Sequence, residues 1–167
     1  MIRQSQSARH RRFGMVAALG AFAAMATPAV ADAPLFVLDR MLLPFDLGPG
    51  APANNPARAS NSPNSAWNSA GNTSNSPSVA ANRPDHPANS TRLLITADGG
   101  VIGYYNTNPG GVLNLFDVSG KRIAFRPARG TKSLFTVTGQ WCGTVDGTKD
   151  GGFALGVTRE CAARFNR

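Results

Sequence analysis

The side chains of this chain best placed to do chemistry are its two thiols, Cys142 and Cys161. They form no Cys-x-x-Cys pair and have no histidine nearby, so neither a redox couple nor a zinc site is expected. Paired, they would close a loop of about 20 residues, worth roughly 3 kcal/mol in the chain-entropy description of a disulfide. A structural staple is the expectation, and no residue is assigned to metal.

Other catalytic constellations are thinly supplied. Beyond the first thirty residues the one imidazole is His86, beside Pro87, in a stretch rich in Asn, Ser, Pro and Ala. Neither a Ser-His-Asp nor a Cys-His arrangement is expected without a positioned histidine. No Gly-x-x-x-x-Gly-Lys-Ser/Thr loop or Gly-x-Gly-x-x-Gly fingerprint occurs, and no cofactor is expected. The C-terminal part carries five acids, Asp98, Asp117, Asp146, Asp150 and Glu160. Asp98 and Asp146 precede glycines, where Asp caps turns. Residues 146–151, Asp-Gly-Thr-Lys-Asp-Gly, partly resemble a calcium loop. Thr148 at the third position, Lys149, and Val157 in place of the distal Glu make a hairpin turn the better reading. A catalytic residue is therefore assigned to none of them, and a small carboxylate-dependent hydrolase ranks last among the functional readings.

The remaining polar feature is the sequence KRIAFRPARGTK, in which Lys121, Arg122, Arg126, Arg129 and Lys132 cluster. Strand alternation places Arg122 and Arg126 on one solvent-facing side, with Arg129 and Lys132 at the following turn. Such a patch suits phosphate or sulfate groups of an envelope polymer, or an acidic protein. The competing reading is an edge strand blunted by cations. Tyr104, Tyr105, Trp67 and Trp141 complete the ligand candidates.

These groups need a scaffold, and the chain divides into four zones. Arg3, Arg9, Arg11 and Arg12 precede an apolar run over 13–26, Thr27-Pro28 breaks it, and Ala29-Val30-Ala31 supplies small residues. This is the pattern of a secretory leader over 1–31, cut after Ala31 or, as second choice, after Ala33. The run is shorter than the roughly 20 residues of a membrane-spanning helix, so no transmembrane segment is expected after cleavage. Arg11-Arg12 invites a twin-arginine reading, but Phe13 follows the pair directly, and general secretion fits better. The formal charge of +8 is partly carried by those four arginines, so it is no argument for nucleic acid. Periplasmic or secreted localisation follows.

Residues 32–47 form an apolar segment whose core is LFVLDRMLLPFDL, over 35–47. It is expected to dock on the domain downstream as an N-terminal strand, the sharper alternative being a partner-binding segment. Residues 48–90 are low in complexity and, by the entropy of ordering a chain with little apolar surface, are expected to be a disordered linker. Asn61-Ser-Pro and Asn75-Ser-Pro recur without an evident fixed period, and Asn72-Thr-Ser and Asn89-Ser-Thr match the N-glycosylation triplet. Residues 91–167 carry six apolar pulses, at 92–97, 101–106, 112–118, 121–126, 133–145 and 153–158, each broken by Gly, Asn, Asp or Pro. The fold class expected is all-β: a small antiparallel meander closing into a barrel or sandwich of about six strands, stapled by the disulfide.

The functional expectation is an exported, non-enzymatic binding module of the cell envelope or extracellular space, with a protein or an anionic polymer as ligand. The alternative is a surface-assembly component that lends residues 35–47 as an added strand.

Overall fold

The computed structural model describes residues 33–43, 48–147 and 153–166. The expected leader at 1–31, and Asp150 with the rest of 148–152, lie outside the described residues. Eight strands close into one barrel in sequence order: β1 Leu35–Asp39, β2 Leu93–Thr96, β3 Val101–Thr107, β4 Leu113–Asp117, β5 Arg122–Arg126, β6 Ser133–Thr136, β7 Trp141–Gly147 and β8 Phe153–Val157. A four-residue helix, α1 Arg159–Ala162, follows. The all-β expectation holds, with two strands more than the sequence pulses suggest. One is β1. The other arises because the apolar run at 133–145 turns back on itself at Val137–Gln140.

From β2 to β8 every neighbour is antiparallel. The N-terminal segment does dock as a strand: β1 lies parallel to both β2 and β8 and fills the gap between them. Its residues Leu35 and Val37 face the core with Leu94 and Leu155, and closure leaves no open sheet edge.

One device recurs in three hairpins. Residues 94–103 (LITADGGVIG), 115–124 (LFDVSGKRIA) and 134–143 (LFTVTGQWCG) superpose in pattern. In each, the turn is closed by the same two backbone bonds: Gly99, Gly120 and Gly139 donate back to Thr96, Asp117 and Thr136, which in turn donate to residues 100, 121 and 140. Those glycines have φ of +84°, +90° and +84°, a region closed to most other residues. The pairing register then shifts by one residue, between Leu94/Ile95, Leu115/Phe116 and Leu134/Phe135. Each shift is a β-bulge. It turns two consecutive residues of the second strand inward, so Ile123 and Ala124 both enter the core, which strict alternation would have separated.

The interior is filled by Leu35, Leu94, Tyr105, Leu113, Leu115, Ile123, Leu134, Val145, Leu155 and their neighbours. Cys142 and Cys161 are joined, with Cα atoms 5.5 Å apart, fastening β7 to α1 against this core. Thr158 caps α1, its side chain accepting from the Cys161 amide.

Residues 48–90 depart from the expected disordered linker. They form a coil of consecutive tight turns that carries the chain from β1 back to the start of β2. Its organising residues are Asn54, Asn61, Asn68, Asn75, Asn82 and Asn89, spaced by seven, and all buried. From Asn61 onward, the Nδ2 group of each such asparagine donates twice, to the carbonyls on either side of an earlier residue seven positions back. Asn82 reaches Ser74 and Ser76 at 2.8 and 2.9 Å; Asn75 reaches Trp67 and Ser69 at 2.7 and 2.9 Å. Asn61, Asn68 and Asn89 repeat the arrangement. The expectation failed because it counted only apolar burial. Here the ordering is supplied by backbone turns and a ladder of primary amides, which use both of their hydrogens on main-chain acceptors.

Candidate functional site

The coil lies against the outer wall of the barrel, and from Asn68 to Asn82 it advances one seven-residue turn per strand, from β5 to β3. On β5, Arg122 donates through Nη1 to the Asn68 carbonyl at 2.9 Å. On β4, Asn114 donates to Asn75 Oδ1 at 2.9 Å. On β3, Asn106 donates to Asn82 Oδ1 at 2.8 Å and Tyr104 donates to the Asn82 carbonyl at 2.6 Å. Before β6, Thr131 donates to Asn54 Oδ1 at 2.9 Å. Strands in a sheet are about 4.8 Å apart, which sets the advance of each coil turn that keeps this correspondence. The coil also touches the hairpin loops: Pro63 packs on Gly139, Pro84 on Gly120 and the Trp67 ring on Gly110, where a Cβ would fall 2.3 Å from the indole.

This jacket decides what the candidate residues can do. The five cations do not form one surface. Arg122 is buried under the coil, with Nε donating to Asn114 Oδ1 at 2.8 Å and the guanidinium 5.2 Å from the Phe125 ring. Burial among neutral partners pushes its pKa down to about 10. The expectation that Arg122 and Arg126 share a solvent face is corrected. The bulge at Ile123–Ala124 pairs Arg126 with the core residue Leu113, and burial lowers its pKa too. Lys132 is paired with Asp146 at 2.6 Å. Lys121 and Arg129 stay exposed, on the β4–β5 and β5–β6 loops, which lie at opposite ends of the barrel.

The acids are likewise engaged in structure. Asp117 is buried and its Oδ1 accepts from Ser119 N, Ser119 Oγ and Lys121 N. Asp98 accepts from the Thr96 hydroxyl and the Gly100 amide, which hold its carboxyl below the usual range. Among the described residues, no group of His, Cys, Asp or Glu is arranged to hold a metal, and no helix is long and apolar enough to cross a membrane. His86 Nδ1 accepts from the Ala88 amide within the coil. The Asn89 triplet is occupied structurally, since its amide is a ladder rung; the Asn72 amide donates to the Ala66 carbonyl at 2.8 Å. Of the aromatic candidates, Tyr105 lies in the core, Tyr104 stacks on Phe116 beneath the coil, and Trp141 lies beside Phe135 with Arg40 over its ring. Trp67 remains half-exposed.

What the jacket leaves bare was not found from sequence. Phe36 of β1 pairs with Ile95 of β2, and Ile95 with Val101 of β3, so the three stand in a row on the outer wall. Phe36 is 50% and Val101 48% exposed. The chain continues from β1 into Met41 and Leu42, 77% and 67% exposed. Beside them is an open depression of about 320 Å³ lined by Asp39, Arg40, Met41, Thr158, Arg159 and Glu160. No family model, curated protein or solved structure matches this chain.

Proposed function

We propose that this chain is an exported, non-enzymatic module that binds another protein through the bare side of its barrel. The observation that supports the reading most is the row Phe36–Ile95–Val101, with Met41 and Leu42 also exposed beyond the end of β1. Scattered apolar residues on a surface need no explanation, but a row of apolar side chains on three adjoining strands, two of them this exposed, favours an apolar partner surface. The packed interior favours recognition on the outside. The dispersal of the cations weakens the anionic-polymer reading, and the structural engagement of Asp98, Asp117 and Asp146 weakens the hydrolase. Since Leu35 and Val37 are buried in the chain's own core, lending this strand to a neighbour would require the barrel to open.

A photoreactive residue at position 36, in protein expressed in its native envelope, tests the reading against the same residue at Ala57 on the exposed coil. Adducts from 36 that are absent from 57, and that vanish with Val101→Ser, are expected. The same adducts from both sites, or none from 36, would overturn it.

A further inference from the structure

Trp67 stands immediately before the ladder residue Asn68, and 52% of it is exposed. The residues before the other ladder asparagines are Ala53, Ser60, Ser74, Ala81 and Ala88. Five turns therefore close with Ala or Ser in this place, and the coil itself has no need of an indole there. A second, distant position nevertheless makes room for the ring. Gly110 belongs to the turn 108–111 between β3 and β4, closed by the Gly111 amide on the Asn108 carbonyl at 2.9 Å. Gly111 has φ of +82°, whereas Gly110 lies outside the left-handed region, so the turn backbone does not call for glycine at 110. The indole does: a Cβ at 110 would fall 2.3, 2.4 and 2.8 Å from its Cδ2, Cε3 and Cγ.

The platform is rigid as well as open. The Trp67 carbonyl accepts from Asn75 Nδ2 at 2.7 Å and from Asn108 Nδ2 at 3.2 Å, which ties it to the next coil turn and to the β3–β4 loop. Little freedom is left to lose when a ligand settles on the ring. Ser60 and Ser74 hold the equivalent places one turn before and one turn after, their carbonyls accepting from Asn68 and Asn82. Hydroxyl-bearing residues thus flank the indole along the coil. On the loop side, a Cβ at Gly111 would lie 3.2 Å from Ala128, and one at Gly130 would lie 3.7 Å from Ser60 Oγ, so the exposed Arg129 between them borders the same rim.

We propose that Trp67 is the stacking platform of a glycan-binding site, which takes a β-1,4-linked chain of glucose-like pyranose rings. Such a ring holds its hydroxyls around its edge and presents C–H groups on its faces. It therefore matches an aromatic surface bordered by hydroxyl, amide and guanidinium groups. A protein partner fits less well, because an interface aromatic works inside a surround that excludes water. Here Val79 is the one other apolar residue of the coil besides its alanines and prolines. A nucleic-acid strand would need a cationic groove along its backbone, and Lys121 and Arg129 lie at opposite ends of the barrel. The site is also separate from the bare apolar row. Asn68, beside Trp67, is held from β5, while Phe36 stands on β1, and these are opposite members of an eight-stranded ring. The inference goes beyond the protein-binding reading and does not rest on it.

The test is frontal chromatography of the full chain on immobilised β-1,4-linked hexamers of glucose and of N-acetylglucosamine. Retardation of the wild type on at least one of them is expected. Trp67→Ala installs the residue that precedes Asn54, Asn82 and Asn89, so the coil should keep its urea midpoint. Its retention should fall by roughly tenfold or more, the scale of one lost stacking contact. Trp67→Tyr, which keeps a smaller ring, should lose only a few-fold. Gly110→Ser, which pushes the indole aside, should bind less well than the wild type. No retardation of the wild type on either hexamer, or equal retention of Trp67→Ala, would overturn the inference. So would bare glycan columns beside Trp67-dependent retention on an immobilised thymidine oligonucleotide or apolar peptide. No partner protein enters this assay, so its failure leaves the cross-linking result at position 36 to stand or fall separately.

Discussion

Asn75 of the coil and Asn114 of β4 meet side chain to side chain, 2.9 Å apart, across the interface between jacket and barrel. Asn108 donates to the same Asn75 oxygen at 2.8 Å, and the Asn75 amide spends both hydrogens on the carbonyls of Trp67 and Ser69. Asn75→Ala would take a partner from four groups, the buried Asn108 and Asn114 amides and the partly buried Trp67 and Ser69 carbonyls. Since a buried group left unsatisfied costs about 1–3 kcal/mol, a loss of roughly 3 kcal/mol is expected. Asn64→Ala, on an exposed coil position, should change stability by less than about 0.5 kcal/mol. Urea denaturation midpoints of the two variants check this, and similar values would show that the ladder contributes little.

Tyr104 gives the coil–barrel interface a pH dependence. Burial, then Asp117 and Asp85, push its pKa up to about 12 from 10.0. The fold therefore favours the neutral phenol, which donates to the Asn82 carbonyl. Its contribution is fully present below pH 10 and is lost as pH rises towards 12. Arg122, held down to about 10, acts with the opposite sign over the same range, because losing its proton relieves a buried charge. The measurement is thus the difference between wild type and Tyr104→Phe. That difference in denaturation midpoint should be constant from pH 7 to 9 and shrink above pH 10.

The Cys142–Cys161 bond spans 19 residues and fastens the chain after β8 to the core. Replacing both cysteines by serine should cost about 3 kcal/mol, and the same loss should follow on reduction of the wild type. Thermal unfolding with and without dithiothreitol tests it; indifference to reductant would mean that β8 and α1 are held by packing alone.

Much of the barrel was legible because turn glycines and paired apolar residues are local signals. Leu94, Leu115 and Leu134 each open the same ten-residue pattern, and their hairpins sit where Gly99, Gly120 and Gly139 place them. The bulges were not legible. One extra residue reverses the parity of everything after it, which is why Arg126 was assigned to the face of Arg122. The coil was hidden for a different reason. Six asparagines at intervals of seven are visible in the sequence, but their stabilisation comes from amide bonds between turns, a term that composition and hydrophobicity do not register. The apolar row at Phe36 and Val101 depended on both failures, because those residues are exposed only where the coil does not run.

The cations of the β5 region provide the sharpest contrast between appearance in sequence and role in the fold. Arg122 holds Asn114 of β4 through Nε and the Asn68 carbonyl of the coil through Nη1, so from β5 it ties the coil to the neighbouring strand. Arg122→Ala should cost about 2 kcal/mol or more by stranding both acceptors, and Arg122→Lys should recover part of that, since one ammonium cannot reproduce the two-pronged geometry. Lys121→Ala and Arg129→Ala, both exposed, should be neutral within about 0.5 kcal/mol. Retention on an anionic resin should fall more for Lys121→Ala and Arg129→Ala than for Arg122→Ala, whose charge is buried, while only Arg122→Ala unfolds earlier in urea. Equal stability of all three would instead place Arg122 on the surface and return it to the cationic patch.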